Sequence, residues 1–272
     1  MPHWKRERKL SSWRRVSLSA WDGPRDPTVY GWLDLDVSRA LSYLEQLEQQ
    51  SGVKVTLTHL VGKALALAIR ECPEVNAIVR RGRQVYRRET VDVFFQVAFD
   101  RGNLSGAKVK DAADKTLLEI ASELKQGVAA IRHKQAHALS RSDATLDRMP
   151  ALLRRTVLRG IETAVYDWGL NLSMLGVPQD AFGSAMVTNV GVFGLPHGLA
   201  PLVPFTRVPI LLTVGAVHDA PVAEEGQVVV RPVLPVGVTL DHRVLDGYQA
   251  GKLAQRFSAV MRDPERELGL SR

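Results

Sequence analysis

Residues 239–247 read Thr-Leu-Asp-His-Arg-Val-Leu-Asp-Gly, and the rest of the chain is best read outward from them. A β-branched, apolar run leads into Asp241, the mark of a strand, and helical spacing follows Leu245. His242 therefore stands where a strand ends and a tight turn leads into a helix, on rigid backbone that projects an imidazole toward a cleft. An imidazole titrates at about pH 6.5 when unperturbed, which suits a general base. Asp246, four residues on, is placed to order the turn by pairing with an arginine, and Gly247 is expected to let the backbone turn sharply. Composition alone yields His-x-x-x-Asp-Gly about 0.03 times in such a chain, so the pattern is informative. The alternative is a core histidine that caps the following helix.

Outward from this turn, the spacing predicts strands at 227–240, 208–217 and 184–190, and a last helix from about Leu245 to Arg262 that ends at Asp263-Pro264. Residues 29–37 alternate as a half-buried strand, and SRALSYLEQLEQQSG carries Leu41, Leu44 and Leu47 on one helical stripe with Gly52 as its stop. Thr58 to Cys72 reads as a second helix halted by Pro73. A hairpin joins Ala77–Arg80 to Gln84–Arg87 through Gly82, residues 91–99 form a buried strand, and Thr116-Leu-Leu-Glu119 is a capping box opening a helix to about Ala138. Between 146 and 175, apolar residues from Leu152 to Leu172 fall near helical spacing with Arg154, Arg155 and Arg159 among them. Such a stripe either packs on its own core or lies on a membrane or partner. Strands and helices mix without strict βαβ alternation, and no repeat or linker divides them, so the expected fold class is α+β with a mixed-sheet sandwich in one domain.

The 272 residues carry 36 Lys+Arg against 29 Asp+Glu, a net charge of +7. Acidic partners are favoured by that balance. Lys5, Arg6, Arg8, Lys9, Arg14 and Arg15 face only Glu7 in residues 1–15, which read either as a solvated basic arm or as an electrostatic funnel for an anionic, phosphorylated substrate. No zinc-finger spacing, aromatic RNA-binding signature or heptad zipper accompanies the basic run, so nucleic acid is not expected. One cysteine, Cys72, excludes an intrachain disulfide and a multi-thiolate zinc site. His133 and His137 lie one helical turn apart, but they lack the glutamate of a His-Glu-x-x-His site and a third ligand, so a solvated helix face and no metal are expected. No apolar run approaches the roughly 20 residues of a membrane span, and the N-terminus has no signal-like apolar stretch, so the expectation is a soluble, cytoplasmic protein. There is no Gly-x-Ser-x-Gly elbow, P-loop or dinucleotide loop.

Several stretches, in one order, resemble the catalytic domain of the dihydrolipoyl acyltransferase component of 2-oxo acid dehydrogenase complexes, within the chloramphenicol-acetyltransferase-like superfamily. Arg14-Arg15-Val16 followed by Val29–Val37 resembles that domain's opening. Val55–Thr58 and Ala64–Ala77 are close to a family signature helix, and Asp111–Lys115 with Leu118–Ala121 is similar to the next. Val187-Thr188-Asn189-Val190-Gly191-Val192-Phe193-Gly194, the paired strand Pro209–Ala216 and the 239–247 motif complete the set.

The resemblance implies a CoA-dependent acyltransferase fold over residues 16–272, behind the basic arm of residues 1–15 and with an extended helical connection at about 133–182. It implies that His242 is the general base that takes a proton from an acceptor thiol as the sulfur attacks an acyl-CoA thioester. The Thr188 hydroxyl would stabilise the oxyanion, and Asp246 would hold the loop through Arg14 or Arg15. Arg14, Arg15, Asn189 and Gly191 are the candidate coenzyme A contacts. It also implies a homotrimer with active sites at subunit interfaces, His242 of one chain facing Thr188 of its neighbour, and no metal.

Departures from the family pattern shape these expectations. The catalytic-type region begins within the first 15 residues, so the lipoyl group is expected from a separate lipoyl-domain protein or replaced by another thiol. Where family members carry Val-Val-Pro, this chain has Gly102-Asn103-Leu104-Ser105-Gly106-Ala107-Lys108, smaller and more polar. Residues 133–182 are longer than the family connection and suit a lid over the channel or a contact for a lipid-like acyl chain. The polar tail Glu267–Arg272 favours a free trimer over a larger cage. Two other functions stay open on the residues alone: a non-catalytic trimeric scaffold, and transfer to an alcohol or amine.

Overall fold

The computed structural model describes residues 26–81, 84–98, 104–138, 151–172 and 179–269. The basic arm, including Arg14 and Arg15, Gly82 of the expected hairpin turn, and Gly102-Asn103 lie outside the described residues.

One long strand organises the fold. β9 (Gln227–Asp241) runs for 15 residues, alternates large apolar with smaller residues from Leu234 to Leu240, and lends its two edges to three other strands. Its first half forms a hairpin with β8 (His218–Glu224). Its second half pairs antiparallel with β1 (Thr28–Asp36) on one side and β7 (Ile210–Val214) on the other. β7 pairs parallel with β6 (Ala185–Asn189), β6 parallel with β4 (Val93–Ala98), and β4 antiparallel with β5 (Leu104–Val109). The result is a seven-stranded mixed sheet in the order β1-β9-β7-β6-β4-β5 with β8 on β9, and a separate hairpin of β2 (Ala77–Arg80) and β3 (Gln84–Arg87). The expected α+β mixed-sheet class is what the structure has.

Helices cover one face. In α1 (Ser38–Ser51), Ala40, Tyr43, Leu44 and Leu47 turn inward, and Gly52 closes the helix at φ +69°. In α2 (Leu57–Glu71) every residue from Leu60 to Ile69 is buried. Gly62 is required there, because a Cβ would lie 2.1 Å from the Phe95 ring of β4. α3 (Leu117–Ala138) opens on the expected capping box, with Thr116 N–H donating to Glu119 Oε2 at 2.7 Å and Glu119 N–H to Thr116 Oγ1 at 3.2 Å. α5 (Gly247–Arg262) buries Leu253, Phe257, Val260 and Met261, and the short α6 (Pro264–Leu268) follows it. These faces and the sheet enclose the main core.

A loop covers the other face. Residues 194–206 cross the sheet diagonally, fastened where Thr239 Oγ1 donates to the Ala200 carbonyl at 2.8 Å. Under the loop lie Met186, Val208 and Leu211 with Phe94, Phe182 and Leu202. The sandwich is therefore helices on one side of the sheet and an apolar loop on the other.

Three elements differ from expectation. The run 208–217 is a shorter strand, Ile210–Val214, followed by a separate β8, because Gly215 is pressed against the Pro196 carbonyl and the chain must bend there. Leu104–Val109 is an edge strand. Residues 146–175 include α4 (Ala151–Glu162), continued by a wider π-helical turn at Thr163–Asp167 that buries Val165. No helix among the described residues is long and apolar enough to cross a membrane.

Candidate active site

His242 stands on a turn pinned by backbone from two directions. Asp241 N–H donates to the Pro209 carbonyl and His242 N–H to the Pro27 carbonyl, both at 2.9 Å. Val244 and Leu245 N–H return to the Asp241 carbonyl, and the Arg243 guanidinium grips the buried Asp241 carboxylate, at 2.6 Å for Nη2 to Oδ2. These contacts turn the chain sharply; Gly247 does not, since its φ is not positive and it opens α5 as an ordinary helical residue. The imidazole is left exposed, and no described residue hydrogen-bonds its ring.

Asp246 is the N-cap of α5. Its carboxylate accepts from Tyr248 N–H at 2.8 Å, and Gln249 Oε1 accepts from Asp246 N–H at 3.1 Å, a reciprocal cap. The arginine partners expected for it lie outside the described residues.

Thr188 is the next-to-last residue of β6. Register places it in one row across the sheet: Gly106 of β5, Gln96 of β4, Thr188, Thr213 of β7, Gly237 of β9 and Trp32 of β1. Directly paired residues share a face. Val187, Leu212, Val236 and Leu33 belong to the helix-side core, so the row faces the loop-covered side. Thr213 is 1% exposed, and its Oγ1 has no hydrogen-bond partner among the described residues. Such an orphan hydroxyl costs about 1–3 kcal/mol. Its register partner on β6 is Thr188. At the far end of the row, the His197 ring lies 4.8 Å from Trp32 and 5.9 Å from His218.

Asn189 and Gly191 serve the turn after β6. Asn189 Nδ2 donates to Thr58 Oγ1 at 2.8 Å, and its Oδ1 accepts from Val192 N–H at 3.2 Å. A Cβ on Gly191 would lie 2.5 Å from the Gly215 carbonyl, so only glycine permits that approach. Both residues fix Thr188 in place.

The row passes through Trp32 at the middle of β1 and near the ends of β6 and β7, while the imidazole stands one residue past the end of β9. Thr188 is level with Gly237, and His242 lies five residues farther along β9. At about 3.3 Å per residue and 4.8 Å per strand, the two Cα atoms are roughly 15–20 Å apart. That separation is too large for both groups to touch one reacting carbonyl, so a site containing both needs a second copy of the chain. The apolar hollow of about 270 Å³ between the sheet and α5, lined by Leu65, Val238, Leu240, Ala254 and Phe257, lies on the helix side and does not include Thr188. Among the described residues no cluster of three or more His, Cys, Asp or Glu side chains forms a metal site.

Thr213 and Gln96 escape a sequence reading, because only the register of strands distant in sequence brings them beside Thr188.

The sequence pattern of the 2-oxoacid dehydrogenases acyltransferase catalytic domain matches residues 9–146 and 178–268. The chain belongs to that family. Residues 147–177, which hold α4 and its π-helical turn, fall outside the match. The acyltransferase-family chain is 25% identical over 83% of its length to the dihydrolipoyllysine-residue succinyltransferase component of the 2-oxoglutarate dehydrogenase complex of Saccharomyces cerevisiae, covering 40% of that protein. It is 23% identical over 84% of its length to the dihydrolipoyllysine-residue acetyltransferase component of an acetoin cleaving system of Bacillus subtilis, covering 48%. It thus spans less than half of these relatives. In fold it is similar to a probable dihydrolipoamide acetyltransferase from Listeria monocytogenes, with a TM-score of 0.61, 18% identity and 94% of each chain covered. It is also similar to the cubic core of a pyruvate dehydrogenase multienzyme complex, with a TM-score of 0.61, 20% identity, and 90% and 85% covered.

Proposed function

We propose that this chain is an acyltransferase that moves an acyl group between coenzyme A and a dihydrolipoyl-type thiol on another protein, in an active site shared by neighbouring copies of a homotrimer. One observation carries the reading: His242, one residue past the end of β9, and Thr188, near the end of β6, stand too far apart on one sheet to meet within one chain, so contact between copies is what would bring them together.

His242 takes the proton from the acceptor S–H as the sulfur forms a bond to the thioester carbonyl carbon. The carbonyl electron pair moves onto oxygen, and the neighbouring chain's Thr188 hydroxyl donates to that oxyanion. Collapse restores the carbonyl, breaks the bond to the CoA sulfur, and returns the proton from the imidazolium to that sulfur. Thr213, its register partner on β7, holds a buried and unpaired hydroxyl on the same face of the sheet. Coenzyme A phosphates are suited to the basic residues of the arm, Arg14 and Arg15 among them. Asp246 stiffens the turn that carries His242.

The test is thiol release from acetyl-CoA and succinyl-CoA with dihydrolipoamide. His242→Ala should lose nearly all turnover. Thr188→Ala should lose about 10²–10³-fold, as removal of a single oxyanion donor does. Co-expressing the two inactive variants should restore part of the activity, because some interfaces then pair an intact His242 with an intact Thr188. Wild-type turnover in His242→Ala, or no recovery on co-expression, would overturn the reading.

A further inference from the structure

Residues 151–172, the described part of the segment that the family pattern leaves unmatched, form a built piece of structure with its own anchorage. α4 packs on the turn at Pro204–Thr206, and its π-helical extension is held from three sides. Arg207 reaches Glu162 Oε1 at 2.6 Å and Asp167 Oδ2 at 3.4 Å, all three largely buried, and also donates to the Val79 carbonyl at 2.8 Å. Arg80 donates to the Tyr166 and Asp167 carbonyls, and Arg81 N–H to Asp167 Oδ1 at 2.7 Å. Tyr166 Oη donates to the Thr206 carbonyl at 3.4 Å. Arg207 makes these contacts from a left-handed backbone at φ +54°, an uncommon conformation for a residue with a side chain.

This anchorage ends in two exposed apolar side chains, Trp168 (66% exposed) and Leu170 (47%). They do not stand alone. The covering loop leaves Phe193, Leu195, Leu199 and Phe205 exposed along its diagonal path. Along this apolar ribbon Phe193 lies on the turn after Thr188, and Phe205 lies on the turn that α4 packs against. The insert belongs to the imidazole end of the sheet, since Arg207 is two residues from Pro209, whose carbonyl holds Asp241. A ribbon of this extent on one face marks an interaction surface.

We propose that the insert is a subunit contact added to the family fold, in which Trp168 and Leu170 of one copy pack against the Thr188 end of the next. The occupant is a second copy of this chain, because the ribbon joins the two ends that a shared site must bring together. A head-to-tail contact that joins unlike surfaces closes into a ring where the rotation between copies closes, as a trimer requires. The inference rests on the two-copy site proposed above and adds the element that secures it.

The experiment compares wild type, Trp168→Glu, Trp168→Ala and Leu41→Glu by light-scattering mass over a dilution series, with circular dichroism to confirm folding. Leu41 is an exposed residue of α1, on the helix side. Wild type and Leu41→Glu should assemble alike. Trp168→Glu should need at least about tenfold higher concentration to assemble, and Trp168→Ala, which adds no charge, should shift the same way by a smaller factor. If wild type assembles and both Trp168 variants match it, the insert is not a subunit contact, although the shared site stands. If wild type remains a 30.0 kDa monomer while turning over, the shared site itself falls.

Discussion

The buried hydroxyl of Thr213 separates packing from function at the scale of one residue. Thr213→Val keeps the shape and removes an oxygen that has no described partner. It should therefore stabilise the fold by about 1 kcal/mol, the desolvation penalty recovered, as read by denaturant unfolding. If the hydroxyl orients Thr188, the same substitution should lower kcat about tenfold with little change in KM, and Thr213→Ser should restore it. Gain of stability together with unchanged kcat would make the threonine an accident of packing. His242 and Thr188 differ in how they could be found. The His-x-x-x-Asp-Gly pattern is local, so its six residues announce themselves in the sequence. Thr213 and Gln96 become neighbours of Thr188 only through hydrogen-bonded register between strands distant in the chain, and no local pattern encodes register.

Among the elements, α2 carries a built-in pH response. Its N-terminus is closed by Thr56 and His59, with Thr56 N–H donating to His59 Nδ1 at 3.0 Å. Burial pushes the His59 imidazole down to about 4. The folded state thus holds this ring neutral while the unfolded chain protonates it near 6.5, so the stabilisation is complete above pH 6.5 and is lost as pH falls to about 4. The loss should be on the order of 2 kcal/mol, discounted from the full shift because the ring keeps some solvent contact. Thermal or denaturant unfolding of wild type and His59→Gln across pH 7 to 4 checks this: the variant should show the smaller decline, and parallel curves would refute it. The helices were legible because capping boxes and 3.6-residue stripes are local: α1, α2, α3 and α5 fall within two residues of their expected bounds. β5 and β8 were not. β5 is an edge strand of small and polar residues, Leu-Ser-Gly-Ala-Lys-Val, without alternation. β8 mixes charged and small residues and contains Pro221, which an edge strand tolerates. The basic stripe near 150–165 left two readings open. Anchorage to Arg80, Arg81 and Arg207 favours packing on the body, and those partners come from elsewhere in the chain.

For the whole molecule, the pairing of β1 with β9 has the widest consequence. Thr28 lies opposite Asp241, so the first described strand finds its partner only near the end of the chain. Such non-local pairing makes folding slow. During synthesis the β1 edge stays unpaired until nearly all of the domain has left the ribosome, exposed to other nascent chains and to chaperones. A chain terminated after Pro232 retains every helix-forming segment through α4, yet it should yield aggregate in a solubility assay and not a smaller folded unit. Soluble, protease-resistant product from that truncation would show that the sheet can close without its longest strand. Synthesis of β9 is then the step that takes the β1 edge out of reach of other chains, because no earlier segment can pair with it along its whole length.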